Sequence, residues 1–291
     1  MAIIRNKTID RRLSSADLFC NMSASKAFRV IETYKNIRTS LLFTLSSGHD
    51  NSFVVTSAEP NSGKSVTSAN LALSFAQNGT RVLLIDCDMR NPSQQKIFEK
   101  ENNAGLSDVL AGMKPFGDAV KRDVKENLDL LTAGPTPPNP SELLGSERMR
   151  QLLEELRPQY EFIIMDSPPA GFVSDTLSLL LNAPQSIIIA RQNHAVYNEV
   201  AKTVELIKGV GGQVLGAILT DVKEQHKSYG YTYHAYRYRG DRYRSHYRRS
   251  DRPGYGYGYG YGYGYGYGAK KSSGEKKNAA PEKASEGKKR K

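Results

Sequence analysis

Residues 58–65 read AEPNSGKS, and the last three, Gly63, Lys64 and Ser65, are the residue types a polyphosphate requires. Backbone N–H groups converging at a helix N-terminus hold phosphate oxygens, an ammonium neutralises the terminal phosphates, and a hydroxyl ligates Mg²⁺. The apolar run FVVTS (53–57) precedes the loop and the helical pattern KSVTSANLALSFAQNG follows it. This strand–loop–helix context is what makes a phosphate-loop match meaningful. The common pattern begins with Gly where Ala58 stands, and Asn61 occupies a position where Gly is frequent. Asparagine tolerates left-handed backbone, so neither change removes a chemical group. The predicted nucleotide-binding residues are Pro60, Asn61, Ser62, Gly63, Lys64, Ser65 and Val66.

Two further apolar runs end in carboxylates. LLIDCDMR (83–90) places Asp86 and Asp88 at i and i+2 where a strand leaves its sheet, and FIIMDSPP (162–169) carries Asp166 at its tip. Beside a triphosphate, such carboxylates can hold Mg²⁺ through waters, and one can accept a hydroxyl proton. An apolar strand ending in Asp is also the second signature of phosphate-loop enzymes, the carboxylate that organises the metal. The first pair can be read differently, as aspartates capping a helix. Lys64, Asp86, Asp88 and Asp166 are the predicted catalytic residues, and Ser65, Asp86, Asp88 and Asp166 the predicted metal site.

These tips need a scaffold that brings them together. VLLID (82–86), LDLLTAG (128–134), SIIIA (186–190) and GAILTDV (216–222) join FVVTS and FIIMD as short aliphatic runs without polar alternation. Such runs are strands buried on both faces, hence a mostly parallel sheet. Segments of helical length separate them, and KSVTSANLALSFAQNG ends at Asn78-Gly79 as a helix C-terminus should. The predicted fold class is α/β, a doubly wound, mostly parallel phosphate-loop NTPase sheet, which resembles that of the partition and septum-site ATPases. Its ligands sit at the carboxyl ends of the strands. Ahead of the first strand, residues 25–45 contain no Pro or Gly, and Ala27, Val30, Ile31, Tyr34, Ile37, Leu41 and Leu42 fall on one helical face.

The net charge of +11 over 291 residues is unevenly placed: residues 222–291 hold 18 Lys and Arg against 6 Asp and Glu, so residues 1–221 are nearly neutral. Fourteen of the 17 tyrosines lie at or beyond Tyr229, and residues 255–268 are seven Tyr-Gly pairs. Glycine weakens a strand interior, and this low-complexity composition cannot bury enough surface to fold. Three regions are expected: an N-terminal extension (1–24), a catalytic domain with its leading helix (25–222), and a disordered basic tail (223–291). Cys20 and Cys87 are too few for a disulfide framework, and no apolar stretch reaches the ~18–20 residues of a membrane span. A cytoplasmic setting is expected, with any membrane contact made indirectly.

SAEPNSGKSVTSANLA, LLIDCDMRNP and FIIMDSPP, with the linker LTAGPTPPNPSELLGSERM (131–149) and GLSDVLAG (105–112), resemble the bacterial tyrosine kinases of capsular and exopolysaccharide synthesis across about residues 25–222. The resemblance implies ATP and Mg²⁺ as cofactors and autophosphorylation in trans of a C-terminal tyrosine cluster. Here that cluster is Tyr229, Tyr231, Tyr233, Tyr236, Tyr238, Tyr243, Tyr247, Tyr255, Tyr257, Tyr259, Tyr261, Tyr263, Tyr265 and Tyr267. It also implies a homo-oligomer, a ring, assembled through Glu32, Lys35 and Arg38. Lys35 stands where the family has arginine and lacks its bidentate fork. Read without the family, these three are a solvated helix face. The implied partners are a membrane adaptor of the polysaccharide co-polymerase type, which would place the kinase at the inner face of the membrane, and a cognate protein-tyrosine phosphatase.

Two other readings are open. A nucleotide-switched partition-type ATPase would carry a lysine five residues before the loop lysine, where this chain has Glu59. Interleaved Arg and Tyr in the tail could bind nucleic acid by pairing and stacking, but solubility or an acidic membrane surface explains them equally, and no specific nucleic acid is expected.

Overall fold

The computed structural model describes residues 24–45 and 51–222. The predicted tail, with its tyrosine cluster, and the predicted N-terminal extension apart from Ala24 lie outside the described residues. Helix α1 (Ala24–Leu45) leads into β1 (Ser52–Ser57), α2 (Lys64–Ala76) and β2 (Val82–Asp86). Three short helices, α3 (Gln94–Ile97), α4 (Leu106–Leu110) and α5 (Phe116–Ala119), precede β3 (Lys121–Lys125) and β4 (Leu128–Leu131). Next come α6 (Pro140–Leu144), α7 (Glu147–Leu156), β5 (Phe162–Asp166), α8 (Asp175–Leu180), β6 (Gln185–Arg191), α9 (Tyr197–Gly209) and β7 (Gln213–Thr220).

The strands form one sheet in the order β3-β4-β2-β5-β1-β6-β7. Every pairing is parallel except β3 with β4. The aliphatic runs predicted as strands are buried along nearly their whole length, because helices cover both faces. Along each strand successive side chains alternate between two cores. Val54, Leu83, Ile85, Ile163 and Met165 face α4 and α6 to α9. Phe53, Val55, Val82, Leu84 and Ile164 face α1 and α2.

The predicted leading helix begins one residue earlier and packs on α2: Tyr34, Leu41 and Leu45 are buried, with Val30, Ile37 and Leu42 packed against the same core. The described tyrosines divide sharply, Tyr34 and Tyr160 being 2 % and 3 % exposed and Tyr197 83 %. Strand β3 was not among the predicted strands. Its sequence, KRDVK, is mostly charged and solvent-facing, which an edge strand tolerates and a central one does not.

The topology does one thing that matters for chemistry. Strands β2, β5 and β1 are neighbours in the sheet, so the three predicted motif tips emerge side by side at one edge of it.

Candidate active site

The loop after β1 is shaped by two residues in left-handed backbone, Asn61 at φ 58° and Gly63 at φ 89°, the latter capping α2. The loop is tied internally, with the Ser57 and Ser62 hydroxyls both donating to the Glu59 carbonyl at 2.6 and 2.8 Å. It is tied externally as well: Thr220, the last residue of β7, donates its hydroxyl to the Ser62 carbonyl at 2.8 Å. Glu59 accepts from His194 Nδ1 at 2.9 Å and from the Val196 N–H at 3.3 Å, which joins the loop to the approach to α9. Lys64 is 8 % exposed, and burial pulls its ammonium below the ordinary lysine range against the opposing charges of Asp166 and Asp88.

The three aspartates take different positions. Asp86 is fully buried and its oxygens are already occupied: Oδ1 accepts from the Asp88 N–H at 3.1 Å, and Oδ2 from the Ser93 and Gln94 N–H groups at 2.9 Å each. It therefore caps α3 while standing beside Asp166. Burial, then the charge of Asp166, hold its carboxyl well above the usual range. Asp166 accepts from the Ser68 hydroxyl at 3.2 Å, from Gln94 Nε2 at 2.7 Å, and from the Ser65 hydroxyl. Burial pushes it up to about 6 despite those bonds and the nearby Lys64. Asp88 is only partly buried; desolvation raises it, opposed by the Asn91 N–H and by Lys64.

Asp88, Lys64 and Ser65 line a cleft of about 900 Å³, together with Pro168, Pro169 and Phe172. Arg90 also lines it. Its Nε and Nη2 grip Asp175, whose side chain is fully buried at the start of α8, at 2.7 and 2.9 Å. A larger groove of about 1240 Å³ runs along α9, but it contains none of the predicted phosphate or metal residues. The predicted phosphate-loop residues line the smaller cleft.

The donor set suits Mg²⁺. Among the described residues no cluster of three or more His, Cys, Asp or Glu has metal-binding geometry. What the loop offers is oxygen: the Ser65 hydroxyl, Asp166 and Asp88. In addition, Gln94 Oε1 is buried and lacks a partner. Two buried carboxylates with raised affinity for protons have uncompensated negative charge, and a hard cation held by one or two carboxylates plus substrate phosphates is what Mg²⁺ prefers.

Elsewhere on the chain, Glu32 and Lys35 pair at 2.8 Å on the open side of α1, while Arg38 turns inward and donates to the Ser74 carbonyl of α2. Gln94, Arg90 and Asp175 were not predicted as site residues. Gln94 sits in the unpatterned stretch NPSQQK, and Arg90 and Asp175 are 85 residues apart, so neither carries a local signal.

The strand–loop–helix geometry and the adjacent acidic strand tips define a phosphate-loop nucleotide-binding domain, and the AAA domain family model matches residues 55–214. Tyrosine-protein kinase YwqD of Bacillus subtilis (strain 168) is 39 % identical over 201 residues, covering 69 % of this chain and 85 % of that one. The kinase domain of the Escherichia coli tyrosine kinase ETK superposes with a TM-score of 0.67 at 35 % identity, over 72 % of this chain and 83 % of that one. The crystal structure of the chimerical protein CapA2B2 gives 0.65 at 36 %, over 69 % and 88 %. The chain belongs to the bacterial tyrosine-protein kinases.

Proposed function

We propose that this kinase transfers the γ-phosphoryl group of ATP to tyrosines of the cluster Tyr229–Tyr267 on a neighbouring copy, and that it does so with a membrane adaptor in the control of capsular or exopolysaccharide synthesis. The observation that carries the chemistry is the shared cleft: Lys64, Ser65 and Asp88 line one cavity, with Asp86 and Asp166 buried beside the phosphate loop. The fourteen tail tyrosines on the same chain supply the acceptor.

In this reading the N–H groups of residues 61–66 cradle the phosphates and Lys64 draws charge off the β and γ oxygens. Ser65 and Asp166 hold Mg²⁺, which when bound neutralises charge developing on the transferred group. Asp88, facing the cleft with raised proton affinity, takes the phenolic proton; the tyrosine oxygen forms its bond to the γ-phosphorus as the bond to the β,γ-bridging oxygen breaks, and ADP leaves. Asp86 orients the Asp88 segment through the bond it accepts from the Asp88 N–H.

Glu32 and Lys35 on the open side of α1 are available to a neighbouring copy, whereas Arg38 would have to leave Ser74 to join them. No helix among the described residues is long and apolar enough to cross a membrane, so recruitment to the inner face of the membrane rests on the adaptor. The similarity to the CapA2B2 chimera supports such a two-component arrangement. A cognate phosphatase would return the tail to its unmodified state.

Phosphotyrosine mapping by mass spectrometry, after incubation with ATP and Mg²⁺ and with an adaptor fragment added, tests this. Phosphate on residues 229–267 that is lost in Lys64→Met is the expected result. ATP hydrolysis without phosphotyrosine, adaptor present, sinks the reading.

A further inference from the structure

Phe172 is 75 % exposed, yet it lines the same cleft as Lys64, Ser65 and Asp88. A large apolar ring left in water on a surface loop forgoes its burial energy, and this one sits where a substrate must enter.

The ring's exposure is not a product of loose backbone. Pro168 offers its carbonyl to both the Thr56 and Thr176 hydroxyls, at 2.8 and 2.7 Å, and the Ala170 N–H donates to Thr56 Oγ1 at 3.1 Å. The N–H groups of Phe172 and Val173 both return to the Pro169 carbonyl, at 3.0 and 3.2 Å. Gly171 lies so close to the phosphate loop that a Cβ there would stand 2.6 Å from the Ala58 carbonyl oxygen. The turn 167–173 is thus bolted to β1 and to the start of the phosphate loop, while its one aromatic side chain projects free. Pro168, Pro169 and Val173 continue the apolar wall beside it.

We infer that Phe172 and this proline wall form the acceptor subsite, and that the occupant is a tail tyrosine, drawn from residues 229–267 of another copy. The inference rests on the tail-phosphorylation reading above. The wall adjoins the cleft that holds the phosphate residues, and the chain has fourteen tyrosines outside the described residues to fill it. A phenol stacked on Phe172 would stand in the cleft that Asp88 also lines. In the 255–268 stretch the intervening residues are all glycine, so the ring and the backbone are the only features such a wall can select. Offset or edge-to-face ring pairs contribute enough beyond simple burial to change affinity about two- to tenfold.

The test uses full-length enzyme with the adaptor fragment added and, as a separate tagged acceptor, the full-length Lys64→Met chain, with acceptor concentration varied at saturating ATP. Phe172→Ala should raise the acceptor KM about two- to tenfold, by more than it changes the KM for ATP, and Phe172→Tyr should restore the acceptor KM. An unchanged acceptor KM in Phe172→Ala, or a change confined to the KM for ATP, overturns the acceptor subsite. Wild-type enzyme that leaves the acceptor's tail unphosphorylated overturns the tail-phosphorylation reading itself, and the subsite with it. The synthetic 255–268 peptide, offered in the same assay, should show the same ratio between the two enzymes.

Discussion

Asp86 and Asp166 are register partners at the carboxyl ends of adjacent parallel strands, and Gln94 joins them, giving its backbone N–H to Asp86 at 2.9 Å and its side-chain Nε2 to Asp166 at 2.7 Å. Nε2 also reaches the Ser65 carbonyl at 3.0 Å. One buried amide therefore links the two acidic tips to the phosphate loop. Two like charges this close are tolerable because protons offset them.

The sign of the resulting pH dependence follows from Asp166. Its carboxyl, raised to about 6 from an ordinary 3.8, binds a proton more readily folded than unfolded. Its protonation thus stabilises the fold fully below pH 4, and that contribution is lost as pH rises through 6. Asp166→Asn should make the metal-free protein more stable at pH 7.5, by about 3 kcal/mol, with the advantage fading as pH falls from 6 toward 4 and gone below that. Gln94 can accommodate the new amide by turning its unpartnered Oε1 toward it. Thermal melts across pH, with and without Mg²⁺, check this; the variant should also lose Mg²⁺-dependent stabilisation and kinase activity.

Arg90 neutralises a carboxylate whose side chain is fully buried. Removing it in Arg90→Ala leaves Asp175 buried and uncompensated, and should destabilise by about 2–3 kcal/mol, the upper range being reduced because Arg90 is half exposed. Arg90→Lys should recover only part of this, since an ammonium cannot make both bonds. Urea denaturation of the three proteins distinguishes these outcomes, and a lysine variant as stable as wild type would show that the fork is not needed.

Thr220 reaches from the end of β7 to the Ser62 carbonyl, so Thr220→Val should loosen the phosphate loop without touching nucleotide chemistry directly. The expected loss is about 1 kcal/mol of stability and several-fold weaker binding of a non-hydrolysable ATP analogue by calorimetry. Gly63→Ala should weaken binding more, because an L side chain is strained at φ 89°.

At the opposite end of the sheet, Asp129 accepts from the Tyr160 hydroxyl at 2.7 Å, the Asp123 N–H at 2.8 Å and Arg122 at 2.8 Å. Burial would raise its carboxyl, but these bonds together hold it below the ordinary 3.8. Its contribution is therefore present above that pH and is lost as pH falls below it. Asp129→Asn should cost about 2 kcal/mol at pH 7, with a gap to wild type that closes in acid. A gap that persists unchanged at pH 2.5 would mean that packing, not charge, is at stake.

How much of this was legible in the sequence depended on range. The phosphate loop could be read because its chemistry is local: Asn61 and Gly63 both adopt the left-handed backbone their types permit. The strand tips could be read because an aliphatic run ending in Asp announces where a buried strand ends. Strand β3 could not, since an edge strand of KRDVK shows neither aliphatic run nor alternation. Asp86 combined two readings that looked exclusive, standing beside Asp166 and capping α3. Gln94, the Arg90–Asp175 pair and the inward turn of Arg38 are tertiary facts, formed between segments whose own patterns do not mention each other. Phe172 was hidden for the opposite reason: an isolated aromatic in a loop reads as core until a structure leaves it outside.

The burial of Tyr34 and Tyr160 has a consequence for an enzyme whose chemistry is aimed at phenols. Both hydroxyls are inside the domain, with proton affinity pushed upward by that burial, so neither can be presented to a second copy without unfolding. Tyr197 is the one described tyrosine on the surface. In the tail-phosphorylation reading proposed above, the folded body thus offers its own activity a single exposed phenol among the described residues.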